Sequence, residues 1–98
     1  MESIKVGDRE LPFKRSMAMY RKFDNKFKSD GLTSLNMDMS KMGIEHILYL
    51  FYYGVEAGFK AEKKKCDITF EWLEDNLEMD DMADISDAIV GKQGQKKT

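Results

Sequence analysis

Apolar positions are densest between Ser40 and Phe59, and the rest of the chain is read around that stretch. Ile44, Ile47, Leu48, Phe51, Val55 and Phe59 recur at three- and four-residue steps, the spacing of a helix with a buried stripe. Tyr49, Leu50, Tyr52 and Tyr53 fill its flanks. A helix apolar round most of its circumference needs cover on two or more sides, from other helices or from another chain. Gly54 and Gly58 stand four apart on one face and let another backbone come close. In a protein outside lipid that spacing serves plain helix packing more often than dimerisation. Ser40 is the expected N-cap, with Gly43 weakening the first turn. Lys60, Lys63, Lys64 and Lys65 close the helix at the pole that favours cations.

Before this helix, Ile4, Val6, Leu11 and Phe13 alternate with Lys5, Glu10 and Pro12 around Gly7-Asp8, which predicts a β-hairpin with a two-residue turn. Pro12 makes its strand an edge or ends it, and two strands alone must lie against helices to be stable. Ser16 caps a first helix running to about Lys28. Met19 or Tyr20 with Phe23 and Phe27 forms its inner stripe, and Arg21, Lys22, Lys26 and Lys28 face out. Asp30-Gly31 stops that helix. Residues 29–39 are expected to be a loop or a short turn of helix, with Leu32, Leu35, Met37 and Met39 dipping into apolar surface.

After the central helix, Asp67 or Thr69 starts a third one with Phe70, Trp72, Leu73 and Leu77, which Asn76 ends. The Trp72 ring is expected to seal the bottom of the core. Asp80 or Asp81 caps a fourth helix whose inner stripe is Met82, Ile85, Ala88, Ile89 and Val90. The predicted fold class is therefore mainly α (α+β): an N-terminal β-hairpin packed on a bundle of about four helices. It forms one helical domain over residues 1–90, and the tail over 91–98, with nothing apolar to bury after Gly91, is expected to be disordered.

The chain of 98 residues is 35% charged and 42% hydrophobic, the balance of an ordinary globular domain with one modest core. A net charge of −2 gives no overall attraction to nucleic acid or to an anionic membrane. The charge is distributed in blocks. Residues 1–66 hold 13 basic against 9 acidic side chains, residues 67–91 hold 9 acids and no base, and residues 92–98 hold 3 lysines. The acidic block reads either as a solvated face or as a docking surface for a basic partner or a basic patch of another copy. A single cysteine, Cys66, cannot close an internal disulfide. The start lacks a signal-peptide pattern, and Ile47–Tyr53 is far short of the roughly 20 residues that span a bilayer. A cytoplasmic protein with no membrane partner is the expectation.

Chemistry is sparse. His46 and Cys66 are the sole histidine and cysteine and have no zinc-site spacing; His46 is expected to be a solvent-side or satisfied helix residue. No phosphate-binding glycine loop occurs, and the acids from Asp75 to Asp87 lack the order of a calcium loop. No metal, no cofactor and no enzymatic activity are expected. Eight methionines fit two readings, gap-filling in a small core or a surface that adapts to varied apolar partners. With eleven per cent aromatic residues as well, an exposed apolar patch would mark a protein-binding surface.

The segments come in an order that carries a resemblance. Glu10-Leu11-Pro12-Phe13 ends the hairpin, Tyr20-Arg21-Lys22-Phe23 lies in the first helix, Leu48-Tyr49-Leu50-Phe51-Tyr52-Tyr53-Gly54 in the second, and Asp67-Ile68-Thr69-Phe70-Glu71-Trp72-Leu73 opens the third. Over about residues 4–90 this resembles the tail assembly chaperones of long-tailed phages and prophages. The resemblance implies a mostly helical, non-catalytic protein of the host cytoplasm that is absent from the mature virion. Its implied partners are the tape-measure protein, whose apolar helices it keeps soluble, and the tail-tube protein. A homo-oligomer is a further expectation. Helix-in-groove binding needs an apolar strip, and Met17, Tyr20, Tyr49, Tyr52, Tyr53 and Phe59 are the candidate partner-binding residues, with a place in the core as the other reading. A helix-turn-helix nucleic-acid-binding regulator is the alternative, in conflict with the acidity of both helices after Asp67. A structural head-to-tail connector is another.

Overall fold

A computed structural model describes residues 2–28 and 42–91. Strands β1 (Glu2–Val6) and β2 (Arg9–Phe13) form an antiparallel hairpin. Helices α1 (Met17–Phe27), α2 (Ile44–Ala61), α3 (Phe70–Asn76) and α4 (Met82–Val90) follow, with a 3-10 turn at Met79–Asp81 leading into α4. The fold is the mostly helical one, with an N-terminal hairpin, that the patterning predicts. The loop expected over 29–39, the stop at Asp30-Gly31, the Ser40 cap and the tail after Gly91 lie outside the described residues.

Local chemistry explains most of the element ends. Gly7 takes φ +60 in the hairpin turn, a backbone angle that glycine adopts without steric cost. In the register that follows, Ile4 faces Leu11 and Ser3 faces Pro12, which puts Ile4, Val6, Leu11 and Phe13 inside. Ser16 Oγ accepts from the Met19 amide at 3.3 Å, and Met19, Phe23 and Phe27 form the buried stripe of α1. Thr69 Oγ1 accepts from the Trp72 amide at 3.0 Å, so Thr69 rather than Asp67 caps α3. Asn76 donates to the Trp72 carbonyl at 2.8 Å on the last turn.

Elsewhere the structure corrects the pattern. α2 is capped by Gly43, whose amide donates to His46 Nδ1 at 3.0 Å; the helix thus starts after the glycine instead of running through it. Asp81 caps α4 by position, yet its carboxylate accepts from the Glu78 amide at 2.9 Å, which winds the preceding 3-10 turn. Val90 is 41% exposed, because with Ile85, Ala88 and Ile89 turned inward the next residue is carried about 100° round the helix. Ile44 is 55% exposed on the first turn of α2. Trp72 is partly buried against the core, with the Arg9 guanidinium 5.9 Å from its ring centre.

α2 is the hub, packed against β2, α1, α3 and α4. The closest approach is to β2. A methyl group at Gly58 would lie 2.5 Å from the carbonyl carbon and oxygen of Pro12, and one at Gly54 would overlap the Phe13 ring. The Lys14 amide then donates to the Gly54 carbonyl at 3.1 Å, and Phe13 stacks on Phe51 with ring centres 5.4 Å apart. The close approach read from the glycine spacing is thus to a strand, not to a helix. Phe13, Leu50, Phe51 and Val55 are essentially sealed. Cutting Phe51 to alanine would cost about 3–5 kcal/mol, against a total of about 5–15 kcal/mol for a typical domain. A core of this size cannot lend such side chains to a partner.

Two substitutions should act in opposite directions. Gly58→Ala gains about 1 kcal/mol of helix propensity but drives a methyl into fixed backbone, so a net loss of about 1–3 kcal/mol is expected. Lys63 sits at φ 61 just past the end of α2, where Lys63→Gly should gain up to about 1 kcal/mol by removing the strain of a Cβ there. Urea-denaturation midpoints check both signs.

Candidate functional site

Phenylalanine and tyrosine divide the aromatic positions of α2 between inside and edge. Phe51 and Phe59 are buried, whereas Tyr49, Tyr52 and Tyr53 are partly buried and packed against the outside of the core. Tyrosine suits such a border, since its ring takes apolar cover while its hydroxyl stays in reach of water. The 3.6-residue repeat places Tyr49, Tyr53 and Glu56 on the side of α2 away from Phe51 and the glycines. There α1 and α3 cover the helix incompletely.

The covering contacts are aromatic. Tyr49 stacks on Phe70 of α3 with ring centres 4.0 Å apart and planes 13° from parallel. It meets Phe27 of α1 edge-on at 5.7 Å, and the Lys26 ammonium lies 4.6 Å from its ring centre. Tyr52 meets Phe70 edge-on at 6.0 Å and lies 6.1 Å from Tyr53. Lys22 pairs with Glu56 at 3.3 Å and stands 6.0 Å from the Tyr53 ring centre. An open concavity of about 410 Å³ runs along this edge, lined by Lys22, Asn25, Lys26, Tyr52, Tyr53 and Glu56. Tyr53 also borders a second groove of about 360 Å³ between α1 and α2, where Lys14, Arg21, Lys22 and Lys60 converge over Ala18, Ala57 and Ala61.

The six candidate residues separate accordingly. Tyr49, Tyr52 and Tyr53 share one edge. Tyr20 is partly buried against the core, and Met17, 82% exposed, opens α1; neither lines the two grooves that Tyr53 borders. Phe59 is 6% exposed within the core, where its place on the Phe51–Val55 row puts it, and it does not reach the surface. The clustering of Lys14, Arg21, Lys22 and Lys60 was missed in the sequence because the four come from a loop and two helices far apart in the chain.

His46 accepts the Gly43 amide through Nδ1 and lies edge-on to Phe27 at 4.6 Å, so its ring serves as a cap and a packing surface. The Cys66 Sγ donates to the Ile68 carbonyl at 3.6 Å. Burial pushes this thiol up, helped by Glu56 and Asp67 and opposed by the Ile68 backbone hydrogen bond and by Arg9, which leaves it protonated at neutral pH and a poor nucleophile. Among the described residues no group of three or more His, Cys, Asp or Glu side chains could hold a metal ion. No described helix is long and apolar enough to cross a membrane. No family model, curated protein or solved structure matches the chain.

Burial, helped by the neighbouring Glu56 carboxylate, pushes the Tyr52 phenol up from 10.0 to about 12, and burial raises Tyr53 as well. Above pH 10 the unfolded chain releases the Tyr52 proton while the folded chain keeps it, so the unfolded state binds fewer protons and stability falls with rising pH. The contribution is fully present below about pH 10 and is lost as the pH rises through about 12. Absorbance at 295 nm should show a late-ionising tyrosine fraction that Tyr52→Phe reduces, and the alkaline loss of stability should be smaller in that variant.

Proposed function

We propose that the chain is a tail assembly chaperone of the long-tailed phage type, which holds apolar helices of a tape-measure protein in solution and helps bring tail-tube subunits to them. The observation that carries this reading is the row of partly buried Tyr49, Tyr52 and Tyr53, of which Tyr52 and Tyr53 line an open concavity. An amphipathic helix laid along that row would complete the aromatic cover that α1 and α3 leave unfinished. Rigid tyrosine rings give large contact area at small entropic cost, as binding surfaces that meet several sequences require. The reading places the protein in the host cytoplasm and leaves it out of the finished particle.

A nucleic-acid-binding regulator is the second reading, favoured by the convergence of Lys14, Arg21, Lys22 and Lys60 in one groove. Against it, the one short connection between described helices joins α3 to α4, and residues 67–91 carry no base at all. A recognition helix of that charge would be repelled from the duplex. A connector subunit would differ from a chaperone by staying in purified particles.

Co-expression with the product of a long, helix-rich reading frame directly downstream tests the chaperone reading. The wild-type chain should keep that product soluble and co-purify with it. Tyr52→Asp and Tyr53→Asp should abolish the solubilisation with the circular dichroism of the free chain unchanged. Unimpaired solubilisation by both variants, or retention of the wild-type chain in particles, would refute it. Duplex DNA should show no salt-sensitive binding.

A further inference from the structure

A second surface lies apart from the tyrosine edge, where the start of α2 meets the connection between α3 and α4. Ile44, Leu48, Leu77, Met79 and Met82 line a concavity of about 260 Å³ there, with Glu74 and Glu78 at its rim. Four large apolar side chains are conspicuously exposed among the described residues, and two of them, Ile44 and Met79, share this groove. Leu48 is buried by its surroundings but stands outside the main core cluster. Exposed methionine is costly to leave in water, and its unbranched, polarizable side chain fits apolar partners of varied shape.

The charge around the groove selects the occupant. Both rim residues are acidic, and neither has an ion-pair partner among the described residues. The segment from Asp67 to Gly91 supplies no cation. Among the described residues, the cations seen to bind it do so elsewhere, Arg9 at Asp67 and Arg15 at the Ala88 carbonyl. A volume just under the range of about 300–1,000 Å³ typical of small-molecule sites suits anchoring side chains better than a free ligand. We infer that this groove seats one amphipathic helix of another protein, whose apolar anchors enter among Ile44, Leu48, Met79 and Met82 while Lys or Arg residues a turn away meet Glu74 and Glu78. A second copy of the chain is a poorer fit, because among the described residues the strongly exposed apolar side chain on α1, the basic helix, is Met17 alone, and a single tip buries far less than the roughly 800 Å² per partner of a stable interface. The inference does not rest on the phage reading, since any protein presenting such a helix would serve.

The test uses the full chain and a synthetic Leu/Lys peptide with apolar residues at helical spacing, beside a Leu/Glu peptide of the same pattern. Calorimetry and methyl NMR should show the Leu/Lys peptide binding and shifting the Ile44, Met79 and Met82 methyl signals. Met79→Ser, harmless to folding at so exposed a position, should weaken binding about tenfold, as should Glu74→Gln combined with Glu78→Gln; Ile44→Ser gives an independent check on the apolar part. Equal affinity for the Leu/Glu peptide, undiminished binding in Met79→Ser, or shifts confined to the tyrosine edge would overturn the inference. So would self-association of the wild-type chain that Met79→Ser abolishes, which would hand the groove to a second copy.

Discussion

Pro12 and Phe13 rest on the bare α-carbons of Gly54 and Gly58, and the orientation of α2 within the fold follows from that contact. A strand can approach a helix this closely only where no side chain intervenes, and here the Lys14 amide reaches the Gly54 carbonyl once it does. The glycine side of α2 is thereby committed to the hairpin, with Phe51 and Val55 sealed beside it. The helix cannot roll about its axis without driving a side chain into Pro12 and Phe13. Its opposite side is left to α1 and α3, which between them supply Phe27, Lys26 and Phe70 as partial cover for Tyr49, Tyr52 and Tyr53.

Charge adds a second asymmetry. Cations of β2's exit, α1 and α2 gather in one groove beside Tyr53, while the groove under Met79 is rimmed by acids. The molecule thus offers two apolar surfaces with opposite electrostatic settings. Complementary potentials of this kind sort partners and set their orientation more than they add affinity. A helix that suits the tyrosine edge, beside Lys22 and Lys26, would meet like or unlike charge at the other groove according to its own flanks.

Much of the fold was legible because its signals are local. Ser16 stands just ahead of an apolar stripe, and the Gly7-Asp8 turn sits between alternating residues; each needs only a few neighbours to be read. The glycine spacing announced a close approach, but nothing in it says which backbone arrives, and the answer lies more than forty residues upstream at Pro12. Burial was misjudged at two helix ends, where the inner stripe was extended past the neighbours that cover it, at Ile44 and Val90. The tyrosine edge was half legible. Tyrosine against phenylalanine on α2 separates border from core, and by that rule Phe59 belongs inside, where its row with Phe51 and Val55 already placed it. The two grooves were not legible, since Lys14 meets Lys60, and Ile44 meets Met79, only through the tertiary fold.

We propose that a foreign apolar helix lies on the tyrosine side of α2, which the glycine contact on its other side turns outward. Photo-crosslinking from p-benzoylphenylalanine in place of Tyr53, in cells that also make the candidate tape-measure product, addresses this directly. An adduct between the two chains, absent when the same probe replaces the sealed Phe13, is the predicted result. Co-purification of the two proteins with no adduct from position 53 would contradict it.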